Sequence, residues 1–266
     1  MDNKIILLST QIPVYVSAIF NEHMKTAFVY HNLEHTRRVV KRAVEIATHY
    51  DLSKPDSFIL HAASWFHDMG QLFTTPENHE QQSAVMMESF LLEHGIEQSI
   101  VKVVRECILA TKIPHRPQTF LQEIICDADT YNLGTKEFLI TDEQLKEEWR
   151  LRGIGVSPEW DRITLEFLKR HKFFTTYCRE KLQQGKQDNI DVFTKRSEDI
   201  NKSNQKSTMK WTLENFPLEM SDLAPNVREK AIEIANKLKQ ERHIKELSIV
   251  EEAIKRAEEW FLNMEG

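Results

Sequence analysis

Residues 61–71 read HAASWFHDMGQ. Small and apolar side chains dominate this run, yet His67 and Asp68 stand side by side within it. A carboxylate buried there without a partner would cost on the order of several kcal/mol. A metal ion held by both side chains would supply that partner. Matching ligands stand at His35 in YHNLEHT (30–36) and at Asp127 or Asp129 in CDADTYNLG (126–134).

The segments around this pair have helical periodicity. Residues 33–49 place Val39, Val40, Ala43, Val44 and Ala47 on one face, with Arg and Lys on the other. Thr75-Pro76 opens a run that closes at Gly95, which predicts a helix with Thr75 as N-cap and Pro76 in its first turn. Residues 96–112 form a further expected helix stopped by Pro114, and another is expected over about 119–131. No segment reads as a strand, so the fold is expected to be all-α. Residues 136–200 carry an aromatic series, Trp149, Trp160, Phe167, Phe173, Phe174 and Tyr177, that fits a helical extension packed on the first part. The stretch of about 195–208 is polar without apolar periodicity and reads as a linker. Two amphipathic helices follow, over 227–241 and about 247–262. The expected organisation is a first domain over 1–200, including the extension, and a small C-terminal domain over 209–266.

At 266 residues, with 41% apolar and 29% charged residues, the chain can build a full globular core. Its net charge of -6 gives no basic footprint for a nucleic-acid polymer. Cys107, Cys126 and Cys178 are odd in number and lack a CxxC spacing, which points to free thiols and a reducing compartment. The uncharged stretch 5–20 contains Ser9, Thr10, Gln11, Pro13 and Ser17. It is read as too short and too polar to span a bilayer and is expected to pack on the core; the MDNK start lacks the positive charge of a signal peptide. A cytoplasmic location without membrane contact is the expectation, and a homo-oligomer is compatible with it.

His35, His67, Asp68 and one later Asp would offer two imidazoles and two carboxylates. Mixed nitrogen and oxygen ligands suit Mn, Fe, Co, Ni, Zn or Mg. Such an ion, with coordination positions left open, acidifies a bound water and neutralises a phosphoryl oxygen. Taken singly, His35, His49 or His61 would be an ordinary hydrogen-bonded helix histidine. The combination argues for a site, because each piece lies on its own segment of a bundle.

The ordered set YHNLEHT, WFHDMGQ, NHEQQS, ILATKIP and IICDADTYNLG resembles the HD superfamily of metal-dependent phosphohydrolases over roughly residues 20–135. The resemblance implies metal ligation by His35, His67, Asp68 and either Asp129 or Asp127. Asp129 is the first choice, since the family's last ligand usually follows an apolar residue and precedes an apolar helix face. Two residues apart on a helix the two carboxylates point about 200° apart, so one of them is expected to bind. Two-metal relatives carry a His pair where this chain has Thr111-Lys112, which favours one ion. The arm from DEQLKEEWR (142–150) to FLKRHKFFTTYCREKL (167–182) resembles that of one HD variant, and residues 211–260 resemble a small bacterial domain of unknown function.

Three further residues complete the expected site. His79 and Glu80 open a helix in NHEQQS, where Ser83 excludes a zincin spacing. Either would handle a proton or orient water; the plainer alternative is an acid that suits a helix N-terminus. Lys112, at a helix end, is the expected phosphate-binding cation, against a solvated surface lysine. His171 with Phe173, Phe174 and Tyr177 would suit a nucleobase but fits core packing better. The function implied is hydrolysis of a phosphomonoester or phosphodiester, with a nucleotide as the expected substrate, by a metal-activated water. The alternative is a non-hydrolytic nucleotide sensor that signals through its C-terminal helices.

Overall fold

The structure, a computed structural model, describes residues 2–208, 210–240 and 246–262. The chain divides into two compact units, Met1–Thr194 and Lys195–Gly266. Both are helical. Among the described residues there is no strand, only an isolated bridge between Thr212 and Asn215.

The first unit contains α1 (Asp2–His23), α2 (Leu33–His49), α3 (Lys54–Phe66), α4 (His79–Glu93), α5 (Gln98–Ala110), α6 (Phe120–Asp129), α7 (Phe138–Leu151) and α8 (Trp160–Arg170). The long helix α9 (Thr176–Thr208) begins in this unit and runs past its boundary. Helix α3 is central: it packs against α1, α2, α4, α5 and α6. Its residues from Phe58 to Phe66 are almost all buried, which is why its sequence lacks a polar face. Of the predicted α2 stripe, Val39, Ala43 and Ala47 are buried together with Ile46, Val40 is half-buried, and Val44 is exposed, because the buried face is rotated toward Ile46. Cys107, Cys126 and Cys178 are buried free thiols.

Three expectations need correction. Thr75 makes no side-chain cap; Pro76–Asn78 form a short 3-10 turn, and α4 starts only at His79. Gly95 does close α4, in the left-handed conformation (φ 67°) that a glycine adopts without strain. Residues 195–208, read as a linker, are helical as the continuation of α9. Helix α1 extends beyond the uncharged stretch to 22 residues and is long and apolar enough to cross a membrane by length and composition. It nevertheless buries Ile5, Leu8, Ile12, Val16 and Phe20 in the core.

In the second unit, α10 (Pro225–Gln240) packs on α11 (Glu246–Leu262). Val227, Ala231, Ala235 and Leu238 meet Ile249, Val250, Ala253 and Ala257 in a separate core. Arg228 ties the preceding turn down by donating to the carbonyls of Met220, Ser221 and Leu223.

Candidate metal centre

His67 is the C-cap of α3, and Asp68 lies in the turn that follows. The His67 Nδ1–H donates to the Ser64 carbonyl at 2.8 Å, which leaves the Nε2 lone pair facing away from the backbone. His35 is placed by Asn32, which N-caps α2: its Oδ1 accepts from the backbone N–H groups of Glu34 and His35. Asp129 is the last residue of α6.

These four side chains converge. His35 Nε2 lies 3.1 Å from Asp68 Oδ2 and 3.3 Å from Asp129 Oδ1. His67 Nε2 lies 3.2 Å and 3.5 Å from the same two atoms. The two Nε2 atoms are 3.3 Å apart. Burial lowers the proton affinity of both imidazoles, but the two carboxylates outweigh it and raise both pKa values. The histidines in turn hold Asp68 and Asp129 below the usual carboxylate range, against burial.

The donor set fits a divalent ion. Ligands about 2.1 Å from one ion stand about 3.0 to 3.4 Å apart at octahedral or tetrahedral angles, close to the spacing found here. His35, His67 and Asp129 each offer a ligand atom within 4.8 Å of the others, a group that could hold a metal ion. Asp68 borders the same cluster through Oδ2.

Asp127 does not join them. Its Oδ1 accepts from the Phe174 N–H, and its Oδ2 accepts from the Thr175 N–H and hydroxyl, each at 2.7 to 2.8 Å. Half a helical turn from Asp129, it ties α6 to the start of α9.

The other expected residues are placed unequally. His79 reaches the cluster, with Nε2 3.3 Å from Asp68 Oδ1 while its Nδ1–H donates to the Pro76 carbonyl. Gly70 makes this possible: a Cβ there would lie 2.1 Å from the His79 carbonyl oxygen. The Gly70 N–H also donates to Ser83 Oγ at 2.8 Å. Glu80 is buried, with Oε2 3.6 Å from His79 Nδ1 and no hydrogen bond to that oxygen. Lys112 is exposed and donates to the Glu77 carbonyl, bracing the turn before His79 instead of facing the ligands. Thr111 is buried and bonded to the Ile108 carbonyl. His171 is a core residue whose Nε2 meets the Thr130 hydroxyl.

One feature of the site has no local sequence signal, because it joins residues 117 positions apart. Glu148 on α7 has no exposed surface; its Oε2 accepts from the backbone N–H groups of Tyr30 and His31, and its Oε1 from His31 Nδ1 at 2.6 Å. Arg152 bonds both Glu148 Oε1 and Gln71 Oε1 at 3.0 Å. The His31 ring stands 5.8 Å from that of His35 and 6.4 Å from that of His79. Its Nε2 makes no hydrogen bond among the described residues. Burial opposes ionisation of Glu148, but His31 and the two backbone donors prevail and hold its pKa at about 2.

Comparison with protein families matches residues 32–133 to the HD domain. Residues 32–133 are an HD domain. HD domains form a superfamily of metal-dependent phosphohydrolases, and their all-helical fold agrees with the helices seen here. Two solved structures of Bacillus subtilis YpgQ are similar in fold. The complex of YpgQ with ADP has 17% identity and a TM-score of 0.53, covering 74% of this chain and 96% of that one. The selenomethionine form has 16% identity and a TM-score of 0.52, covering 74% and 95%. No curated protein matches the chain. His31, Glu148 and the Phe174-Thr175 anchor all lie outside the matched HD segment.

Proposed function

We propose that this chain is a metal-dependent phosphohydrolase that cleaves a phosphomonoester or phosphodiester bond of a nucleotide. The convergence of His35, His67, Asp68 and Asp129 around one point carries this reading. The ADP bound by YpgQ supports a nucleotide as the substrate class.

A single divalent ion held by those four residues would supply Lewis acidity, making a bound water more acidic and offsetting charge on a phosphoryl oxygen. The Ser64 carbonyl fixes the His67 imidazole, and Asn32 fixes the backbone from which His35 projects, so both ligands are positioned in advance. His79, held by the Pro76 carbonyl, keeps Asp68 oriented from its other oxygen. His31 is the proton-handling group: Glu148 holds its ring at Nδ1, which leaves Nε2 as the atom that would donate to the leaving oxygen. His79 is second in line for that role, and Glu80 stands behind it.

Metal analysis of the purified protein, followed by nucleotide and phosphoester panels with Mn, Co, Ni, Mg and Zn, tests the proposal. Bound transition metal and a turnover that drops at least 100-fold in Asp68→Ala are expected. A protein free of metal, with activity unchanged in Asp68→Ala, would refute it. Nucleotide-induced thermal stabilisation without product would instead make the HD domain a sensor.

A further inference from the structure

Beside the ligand cluster lies a cavity whose walls include His35, Asp129, Tyr30, Arg38, Asn132 and Thr141. Arg38 and His35 share one face of α2, three residues apart, so the guanidinium stands next to the ligands along the helix. The other cation lining this cavity, Arg42, is committed: it pairs with Glu45 at 2.9 Å and lies over the Tyr131 ring. Arg38 is not. It is half-buried and makes no hydrogen bond or ion pair among the described residues. Among the cavity's carboxylates only Glu137 stands outside the ligand cluster, and it lies within ion-pair distance of neither arginine.

A half-buried, uncommitted guanidinium that shares a cavity with metal-ligand residues is poised for an anion. Its planar fork matches two oxygens of a phosphoryl group. We propose that Arg38 forms a phosphoryl-binding subsite next to the metal centre, and that it takes the anionic group adjacent to the one held by the ligands. This rests on the phosphohydrolase proposal and narrows its substrate class to compounds with two neighbouring phosphoryl groups. The role expected for Lys112 passes to Arg38, because Lys112 is engaged with the Glu77 carbonyl.

The test uses calorimetric titration of the full-length, Mn-loaded protein with inorganic phosphate and with inorganic pyrophosphate. Pyrophosphate should bind the wild type at least tenfold tighter than phosphate. Arg38→Met should remove that preference while phosphate affinity and Mn stoichiometry stay within twofold of wild type. Arg38→Lys should recover part of it, which separates lost charge from lost structure. Equal affinity of wild type and Arg38→Met for pyrophosphate would overturn the subsite and leave the hydrolase proposal standing. A change confined to Mn affinity would also overturn it, making Arg38 a counter-charge for the ligand carboxylates. Absence of any phosphate binding to the Mn-loaded wild type would overturn both proposals.

Discussion

Asp127 and Asp129 show how two identical side chains, two positions apart, acquire different work from helix geometry alone. One faces the bonded backbone of Phe174 and Thr175, the other the imidazoles of His35 and His67. Asp127→Ala should therefore lower stability by about 2 to 4 kcal/mol, because it leaves buried donors unpaired, while metal stoichiometry is retained. Asp129→Ala should do the reverse, costing at least tenfold in metal affinity with little loss of metal-free stability. Urea denaturation with parallel metal titration reads both. His171 makes a second residue-scale case: burial, then Lys186 and His115, hold its pKa at about 3. The unfolded chain takes up a proton near pH 6.5 that the folded chain refuses. Stability from this group is thus complete at neutral pH and falls as pH drops from about 6.5 toward 3. Between pH 7.5 and 4.5 the loss should be roughly 2 kcal/mol, and it should vanish in His171→Phe when urea midpoints are compared at the two pH values. The His67-Asp68 pair was legible in the sequence because charge is conspicuous in an apolar run. His31 was not, because the carboxylate that defines it lies 117 residues away in EEWR, a stretch that looks like a solvated helix face.

At the scale of elements, the site depends on how closely the turn after α3 approaches the start of α4. Gly70→Ala places a methyl 2.1 Å from the His79 carbonyl and 2.8 Å from the Ser83 nitrogen, both backbone atoms that cannot swing away. The expected result is a loss of about 1 to 3 kcal/mol, as for other overpacked positions. Turnover should fall further than stability explains, because His79 moves with the strand of backbone that carries it; paired denaturation and rate measurements check this. Most helices could be read from apolar periodicity, and α2 was predicted over its full length. The part of α9 read as a linker was not, because a helix already nucleated on the core needs no apolar stripe to continue. In the part of α9 that precedes that stretch, polar side chains pair along the helix, Gln184 with Asp188 and Gln187 with Asp191. The start of α4 was misplaced for a related reason: Pro76 suits the first turn of a 3-10 helix as well as that of an α-helix.

On the scale of the whole molecule, an ion held by two imidazoles and two carboxylates would link metal binding to folding. An ion that binds only the folded chain stabilises it by about 2.7 kcal/mol at a free concentration 100 times its Kd. Chelation should accordingly lower Tm by about 5 to 10 °C for a chain of this size, with recovery on metal addition, measured by differential scanning calorimetry. Asp68→Ala should abolish the difference between chelated and loaded protein. The fold class, and the meeting of His35, His67, Asp68 and Asp129 at one place, could be anticipated from local sequence. The supports around them could not, since they join segments far apart in the chain. The anchors of Asp127 at Phe174 and Thr175, and of His31 at Glu148, have a practical corollary for anyone wishing to transplant this site. Residues 32–133 are the recognisable part, but they are not a portable one. Cutting at those borders would strand Asp127 without its donors, discard the imidazole beside the ligands and strip α1 from the flank of α3. The smallest piece worth excising runs from α1 into α9.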